Sequence, residues 1–433
     1  MSLLDTERWE LIIRWLSQVP VPVPVSAPVS AVQIDTAHNN NSPSRYRSSS
    51  SLLSPSAGLQ DQSAALAIAR TSSSLKRQRL AAADSRTTSI VDSPALDINF
   101  EHDTDGTLDK PVTFAALHDN ATEQLPDDVR QLYNRIYDIA VGRDAFLPHL
   151  AHEEICAAAG RSIKSSWFTK PHPLDDINTR LRCLREVEEL RRIVAVAREC
   201  LQVARSEAAW NLDVHGPLLS LALELHPSVK RELATTAYIA DSFLPSGTSG
   251  DSKMVDFVLV LDTGSGHAPG PDGGLLRTLE SAAWSQPGDM QCINQTHYAP
   301  LQLRPIAVSI VTKNAGSAED GRSQLGVWTA AWHQRMELFF EAIREANGEE
   351  GERRVITLPL LLIVEHEWRL LFACDRGHRL EILEDLSIGD TKSFIGCYTV
   401  LAVLREIANY VETTFRDWVV EVFDPDDESI ISS

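Results

Sequence analysis

Two charged residues within apolar, strand-like segments are the first candidates for chemistry in this chain. Asp256 lies inside the run MVDFVLVL, where a buried carboxylate is costly unless a cation or hydrogen-bond donors compensate it. Lys313 ends a second such run, AVSIVTK. If the two strands are neighbours, the carboxylate can bind a divalent metal ion and the lysine can neutralise a phosphate or orient a water. A plainer interpretation is that Asp256 forms an ion pair at a strand end with a neighbouring Arg or Lys, and that Lys313 is an ordinary solvent-exposed residue at the end of its strand.

Helices and strands must bring these two residues together. Apolar residues at helical spacing predict helices, and runs of β-branched and aromatic residues predict strands. Helices are predicted at 126–142, 149–159, 179–206, 213–225, 321–346 and 395–415. Strands are predicted at 233–243, 253–262 and 304–313, and as a pair within 355–375 that turns near Glu365. From residue 213 onward, the predicted order is α-β-β-β-α-β-β-α.

Other chemistry-bearing motifs have plainer interpretations. The glycine-rich segment DTGSGHAPGPDGG follows a predicted strand. A loop that binds phosphate needs a helix whose N-terminus follows the glycines, and no helix is predicted there, so we interpret the segment as a flexible connection. His215 is predicted to form a local hydrogen bond within its helix. Trp328 and Trp332 are predicted to be core residues.

The first 124 residues differ in composition from the rest. Residues 1–18 are predicted to contain an amphipathic helix, which either docks on the later domain or binds a protein partner. Residues 19–124 are rich in Ser, Pro, Asn and Asp, and we interpret them as a disordered linker because they cannot bury enough apolar surface. Within this linker, Lys76, Arg77 and Arg79 form either a nuclear-import signal or a chance basic cluster.

The bulk composition restricts the classes of protein. A net charge of −20 disfavours coating nucleic acid through bulk charge, although it leaves a local basic groove open. The six cysteines are widely spaced and favour reduced core thiols over a disulfide framework or a zinc site. The N-terminal residues lack the basic start of a signal peptide, and no apolar run reaches the roughly 20 residues that span a bilayer. We expect a nuclear or nucleocytoplasmic protein that is neither secreted nor membrane-bound.

Several sequence blocks occur in an order that resembles one family. They are EAAWNLDVHGPLL, KMVDF, RPIAVSIVTK, QLGVWTAAW and LPLLLIV, within about residues 125–418. With the Ser/Pro-rich N-terminal part, they resemble the fungal PD-(D/E)XK nuclease-like proteins of the restriction-endonuclease-like superfamily. The resemblance implies a mixed α/β fold with an αβββαβ core at 207–420. The helices predicted before the core form a helical subdomain at 125–206, and the composition of residues 421–433 indicates an acidic tail.

The resemblance also implies an active site. In the superfamily, an aspartate and the acidic residue of the (D/E)xK motif bind Mg²⁺ or Mn²⁺, and the lysine assists hydrolysis of a nucleic-acid phosphodiester. The aspartate corresponds to Asp256, the lysine to Lys313 and a helix glutamate to Glu207. Gln324 corresponds to a ligand-facing glutamine of the next helix, and a backbone carbonyl near Thr312 is a further implied metal ligand.

Val311 stands where the family has the acidic residue of the (D/E)xK motif. Valine has no side-chain metal ligand, so this change weakens Mg²⁺ binding and removes an anchor for the attacking water. Two hypotheses stay open. Either Glu207, Asp251 or Glu319 supplies the missing acid and the protein is a metal-dependent nuclease, or the fold is a non-catalytic module that binds nucleic acid or protein.

Overall fold

A computed structural model of the protein describes residues 110–118, 120–245, 254–264, 272–347 and 353–423. The predicted N-terminal helix, the basic cluster at 76–79, residues 424–433 of the acidic tail and Asp251 lie outside the described residues.

A seven-stranded mixed sheet has the strand order β1-β7-β6-β5-β4-β3-β2. The strands are β1 Val112–Ala116, β2 Val229–Leu233, β3 Phe257–Leu261, β4 Ile306–Lys313, β5 Leu358–Val364, β6 Glu367–Asp375 and β7 Leu380–Asp390. The pairs β1–β7 and β4–β5 are parallel, and the other neighbouring pairs are antiparallel. The central strands β3, β4 and β5 are buried along almost their whole length, which explains their continuous apolar sequences.

Helices cover this sheet. They are α1 Asp127–Tyr137, α2 His152–Ala159, α3 Ile177–Gln202, α4 (Glu207–Trp210, Asn211–His215 and Gly216–Leu223), α5 Asp272–Trp284, α6 Ala318–Asn347 and α7 (Phe394–Tyr410, Val411–Phe415 and Arg416–Phe423). A four-residue helix, Ala121–Gln124, precedes α1. The middle segments of α4 and α7 are π-helical turns. Helix α7 packs on β7 and α4, and α6 packs on β4 and β5.

The predicted mixed α/β fold is confirmed. The αβββαβ core consists of α4, β2, β3, β4, α6 and β5 in chain order, with α5 inserted between β3 and β4. The preceding helices α1, α2 and α3 contribute to the same hydrophobic core as the sheet. The helical part before the core therefore packs directly onto the αβββαβ core.

Two strands of the sheet, β1 and β7, were not predicted from the sequence. The predicted linker was extended too far, because Val112 and Phe114 are buried in strand β1, which pairs with β7. Strand β7 was missed within LEILEDLSIGD, where acidic residues interrupt the apolar ones. Both strands depend on pairing between distant segments, which local composition does not reveal.

The strand predicted at 233–243 was wrong. Strand β2 is Val229–Leu233, and the chain then turns, with the Ala237 N–H donating to the Ala234 carbonyl oxygen. Strand β2 is an edge strand with the sequence VKREL. Because its side chains are mostly charged, as is common in edge strands, it has no apolar run that would predict a strand. The glycine-rich connection was also misjudged, because helix α5 begins at its end.

The core side chains follow the sequence predictions. Trp328 and Trp332 are buried, as predicted. The six cysteines are free thiols, and four of them are buried. Among the described residues, the helix Phe394–Phe423 is the one long and apolar enough to cross a membrane, but 78% of its most apolar window is buried inside the protein, as in a core helix.

Candidate active site

Strands β3 and β4 place Asp256 opposite Val311. The antiparallel register pairs Phe257 with Ile310, so the next position on each strand brings residues 256 and 311 together. Asp256 is only 8% exposed. Its Oδ2 accepts a hydrogen bond from the Thr312 backbone N–H at 2.8 Å, and its Oδ1 accepts one from Asn211 Nδ2 at 3.1 Å. Each oxygen of this buried carboxylate therefore has one donor and keeps one lone pair.

Glu207 and Lys313 complete a charged cluster beside Asp256. Lys313 Nζ lies 3.4 Å from Glu207 Oε1 and 3.5 Å from Oε2. Glu207 is the first residue of α4, after the N-cap Ser206. The structure thus brings together three residues that the resemblance implied, although they lie on one helix and two strands.

Burial sets the electrostatics of the two carboxylates. Burial raises the pKa of Asp256 above its usual value, while the Thr312 N–H and the charge of Lys313 oppose that rise. Burial also raises the pKa of Glu207, the negative charge of Asp256 raises it further, and Lys313 lowers it. Both carboxylates consequently favour a cation that compensates their charge.

Val311 belongs to the packed core beneath this cluster. It is fully buried. On helix α6, a Cβ atom at Gly321 would lie 2.6 Å from Leu362 Cδ1, 3.2 Å from Lys313 Cγ and 3.4 Å from Val311 Cγ1. Glycine therefore allows α6 to lie directly on β4 and to cover the position where the family has a metal-binding acid.

Asn211, which the sequence reading did not single out, links Asp256 to His215. Asn211 Oδ1 lies 3.0 Å from His215 Nδ1, and His215 Nε2 lies 2.9 Å from the carbonyl oxygen of Glu365. The local bond predicted for His215 is thus present, together with a long-range one. A polar residue four positions before a histidine on the same helix was the signal that could have identified Asn211.

The protonation states of Asp256 and His215 follow from the donors and acceptors in the row of hydrogen bonds that joins Asp256, Asn211, His215 and Glu365. Nε2 of His215 must donate to the Glu365 carbonyl, so a neutral ring presents only a lone pair at Nδ1, facing another acceptor. Burial lowers the pKa of His215 to about 4. Every contact in this row is a hydrogen bond in two arrangements only. Either His215 carries a second proton, or the Asn211 amide is reversed and Asp256 is protonated. Both arrangements carry one extra proton, in keeping with the raised pKa of Asp256.

A cavity of about 590 Å³ opens onto these groups. Its lining includes Glu207, Asp256, Asn211 and Arg231 together with apolar side chains. Arg231, on β2, lies over the Phe257 ring with its guanidinium carbon 5.3 Å from the ring centroid. Its Nε is buried without a hydrogen-bond partner among the described residues. A cationic group is therefore present in the same cavity as the two carboxylates.

A protein-family model described as the PD-(D/E)XK nuclease superfamily matches residues 157–416. The chain belongs to the PD-(D/E)XK nuclease superfamily. No curated protein and no solved structure matches the chain significantly. PD-(D/E)XK nucleases generally use divalent metal ions, which directs attention to the carboxylates at this site.

The donor set can hold a metal ion of the kind that PD-(D/E)XK nucleases use, provided that a substrate completes it. The described residues contain no group of three or more His, Cys, Asp or Glu side chains placed to hold a metal ion. Mg²⁺ in proteins is often bound through one or two carboxylates, with waters and substrate phosphates as the other ligands. Asp256 and Glu207 fit that pattern, because both line the same cavity.

Two further residues proposed from the sequence have no direct bond to this cluster. Gln324 makes no hydrogen bond to Asp256, Glu207 or Lys313 within the described residues, and its Oε1 is buried without a partner there. The side chain of Glu319 is 67% exposed and pairs with Arg322 at 2.9 Å. Of the two alternative acids among the described residues, Glu207 and Glu319, the structure places Glu207 beside Asp256.

Proposed function

We propose that the protein is a metal-dependent phosphodiesterase acting on nucleic acid, in which Glu207 supplies the carboxylate that Val311 does not. The observation that carries this proposal is that Glu207 and Asp256 line one cavity and that Lys313 pairs with Glu207. Lys313 Nζ lies within 3.5 Å of both Glu207 oxygens, and the charge of Asp256 raises the pKa of Glu207. Membership of the nuclease superfamily supports the same reaction class.

The residues of the chain divide the work at this site. Asp256 and Glu207 would hold a Mg²⁺ or Mn²⁺ ion, with the backbone carbonyl of Thr312 as the further ligand implied by the resemblance. The bound ion supplies Lewis-acid polarisation of the phosphate and a water of lowered pKa. Arg231, in the lining of the cavity, would compensate negative charge on a bound phosphate, and the Lys313 ammonium beside Glu207 would offer a second cation. Burial raises the pKa of both carboxylates, so cation binding strengthens as the pH rises through those values.

The test is cleavage of single- and double-stranded DNA and RNA by the purified full-length protein in Mn²⁺. We expect the wild type to cleave, and Asp256→Asn, Glu207→Gln and Lys313→Ala each to lose activity by about 100-fold or more. Glu319→Gln is the matched control, because this exposed acid lies outside the cluster. Equal cleavage by the wild type and the three site variants would exclude the assignment.

A second candidate function is a non-catalytic module that binds nucleic acid. The specific observation in its favour is the full burial of Val311, together with the two hydrogen bonds that already occupy Asp256. This candidate predicts binding of nucleic acid in EDTA and no cleavage in Mn²⁺ at any pH between about 6 and 9. Cleavage that disappears in Asp256→Asn would eliminate it.

A further inference from the structure

A second cavity, of about 480 Å³, is lined by four basic side chains and by no acidic one. The basic residues are Arg161, Arg191, Arg198 and Lys392. Arg161 follows α2, Arg191 and Arg198 lie on α3, and Lys392 lies between β7 and α7. The protein carries a net charge of −20, so a cavity with this lining is a local exception to the overall charge.

The three arginines lack carboxylate partners within the described part of the chain. Arg161 lies over the Trp167 ring at 5.7 Å and makes no ion pair there. Arg191 and Arg198 form neither a hydrogen bond nor an ion pair with any described residue. By contrast, Arg192 on the same helix is held by Glu189 at 2.6 Å. The cavity thus gathers guanidinium groups whose charge the described residues leave uncompensated.

The geometry of the cavity suits an extended anion. Arg191 and Arg198 are seven residues apart on α3, so they lie on one face and roughly 10 Å apart along the helix axis. The N-terminus of α7 borders the same cavity, where the Ser393 side chain accepts from the Gly396 N–H at 2.9 Å. The helix dipole adds to the positive potential of the arginines at that end.

The sheet relates this cavity to the candidate active site. The register pairs Lys313 with Val364, Val364 with Glu367, and Glu367 with Asp390. The ends of β4 and β7 therefore lie at the same edge of the sheet, three strand spacings or about 14 Å apart. Lys392, two residues beyond β7, pairs with Glu367 at 2.8 Å and also lines a neighbouring cavity of about 620 Å³. The lining of that cavity includes Arg143 and Arg369 as well as Glu367 and Asp390, so basic side chains continue along this edge interspersed with acidic ones.

We propose that the cavity between α2, α3 and the start of α7 binds backbone phosphates of nucleic acid. Guanidinium groups bind phosphate oxygens through paired N–H donors, and three of them without carboxylate partners in the described chain are available here. The nucleic-acid strand whose phosphates occupy the cavity then continues along this edge of the β-sheet toward Asp256 and Lys313. That continuation rests on the proposed function, whereas phosphate binding at the cavity does not.

The experiment measures binding of labelled single-stranded and duplex oligonucleotides by fluorescence anisotropy in EDTA, between about 50 and 200 mM salt. The variant is Arg191→Ala/Arg198→Ala, and Arg192→Ala is the matched control on the same helix. We expect the double variant to bind about 10-fold or more weakly and to show a salt slope reduced by roughly 1.5–2, whereas the control retains both. Because these arginines are exposed, the melting temperature of the double variant should match that of the wild type.

Several results would overturn this proposal. They are an unchanged affinity and salt slope in the folded double variant, an equal loss in the control, or wild-type binding of inorganic tripolyphosphate without binding of any oligonucleotide. Weakened binding that returns in Arg191→Lys/Arg198→Lys would support it. Since EDTA removes divalent ions, a lack of cleavage in Mn²⁺ leaves these results unchanged, so failure of the proposed function can be told from failure of this proposal.

Discussion

Asp256 carries a charge that the fold accommodates at a cost. Its side chain is 8% exposed, and its donors are one backbone N–H and one amide. Its partner Asn211 also faces His215, whose pKa is lowered to about 4 by burial. When His215 is neutral and Asp256 is ionised, one of the contacts that Asn211 makes to these two residues joins two acceptors. A buried carboxylate held in this way lowers the stability of the fold when no cation compensates its charge.

Asp256→Asn is therefore expected to stabilise the protein as it abolishes activity. The oxygen of the new Asp256→Asn amide accepts from the Thr312 N–H, and its NH₂ group donates to the oxygen of a reversed Asn211 amide. The NH₂ group of Asn211 then donates to Nδ1 of neutral His215. We expect a gain of about 1 kcal/mol, or about 2–4 °C in melting temperature, at pH 7.5 in calorimetry.

The pH dependence of this gain follows from the direction of the shift. The folded-state pKa of Asp256 is raised above 3.8 by burial, so the stability it contributes is present below pH 3.8 and lost as the pH rises through the folded-state pKa. The advantage of the variant should accordingly shrink toward pH 4. A variant less stable than the wild type at pH 7.5, with Glu319→Gln unchanged, would contradict this account.

Val311→Glu should tighten the binding of Mn²⁺, because it places a carboxylate opposite Asp256 across β3 and β4. We expect an increase in affinity of about 10-fold or more in titration calorimetry. Val311→Gln is the matched control, since it introduces a side chain of the same size into the same buried position without the charge. Equal Mn²⁺ affinity of the two variants would show that the position cannot reach the metal site.

At the scale of elements, the contact between β7 and α7 depends on glycine. Gly389 has φ of 128°, and a Cβ atom there would lie 2.7 Å from the Gly396 carbonyl oxygen and 2.9 Å from Val400 Cγ2. Only glycine adopts this backbone conformation readily while allowing so close an approach. The position of Lys392 and of the first turn of α7 follows from this contact, and so does the basic cavity.

Gly389→Ala is expected to lower the free energy of unfolding by about 2–5 kcal/mol, from backbone strain together with overpacking. Urea unfolding of the full chain measures the loss. Gly288→Ala serves as the control, because its Cβ would meet no atom within 4 Å. Similar unfolding midpoints for the two variants would mean that β7 and α7 can separate at little cost, and the basic cavity would then lack a rigid wall.

The elements differ in how far the sequence could predict them. Strands β3, β4 and β5 are continuous apolar runs, so their composition suffices. Strands β1, β2 and β7 carry polar or charged residues, and they become strands only because a partner strand satisfies their backbone groups. Helix α5 was obscured by the glycines that precede it.

At the scale of the whole molecule, buried histidines make stability depend on pH. His215 and His333 are almost fully buried, and burial lowers the pKa of each from 6.5 to about 4. Neither ring nitrogen of His333 has a hydrogen-bond partner among the described residues. Nearby, Asp375 raises its pKa and Lys110 lowers it, both less than burial does.

Acidification should therefore destabilise the fold before the carboxylates with lowered pKa values titrate. The stability that the histidines contribute is fully present above pH 6.5 and is lost as the pH falls toward 4, by about 3 kcal/mol for each. His333→Leu should reduce the slope of unfolding free energy against pH in this range, measured by urea unfolding at pH 7.5 and 4.5. An unchanged slope would mean that water reaches the ring.

The sequence by itself determined the central strands, the unusual buried aspartate at Asp256, the lysine at the end of the next strand and the absence of an acid at Val311. These features follow from the local order of residue types, and the resemblance aligned them with a nuclease motif. Only the tertiary structure decided that Glu207 reaches Lys313, that Asn211 connects Asp256 to His215, and that arginines from separate elements line one cavity. These depend on strand register and on the packing of distant segments, where contacts between residues far apart in sequence select a single arrangement.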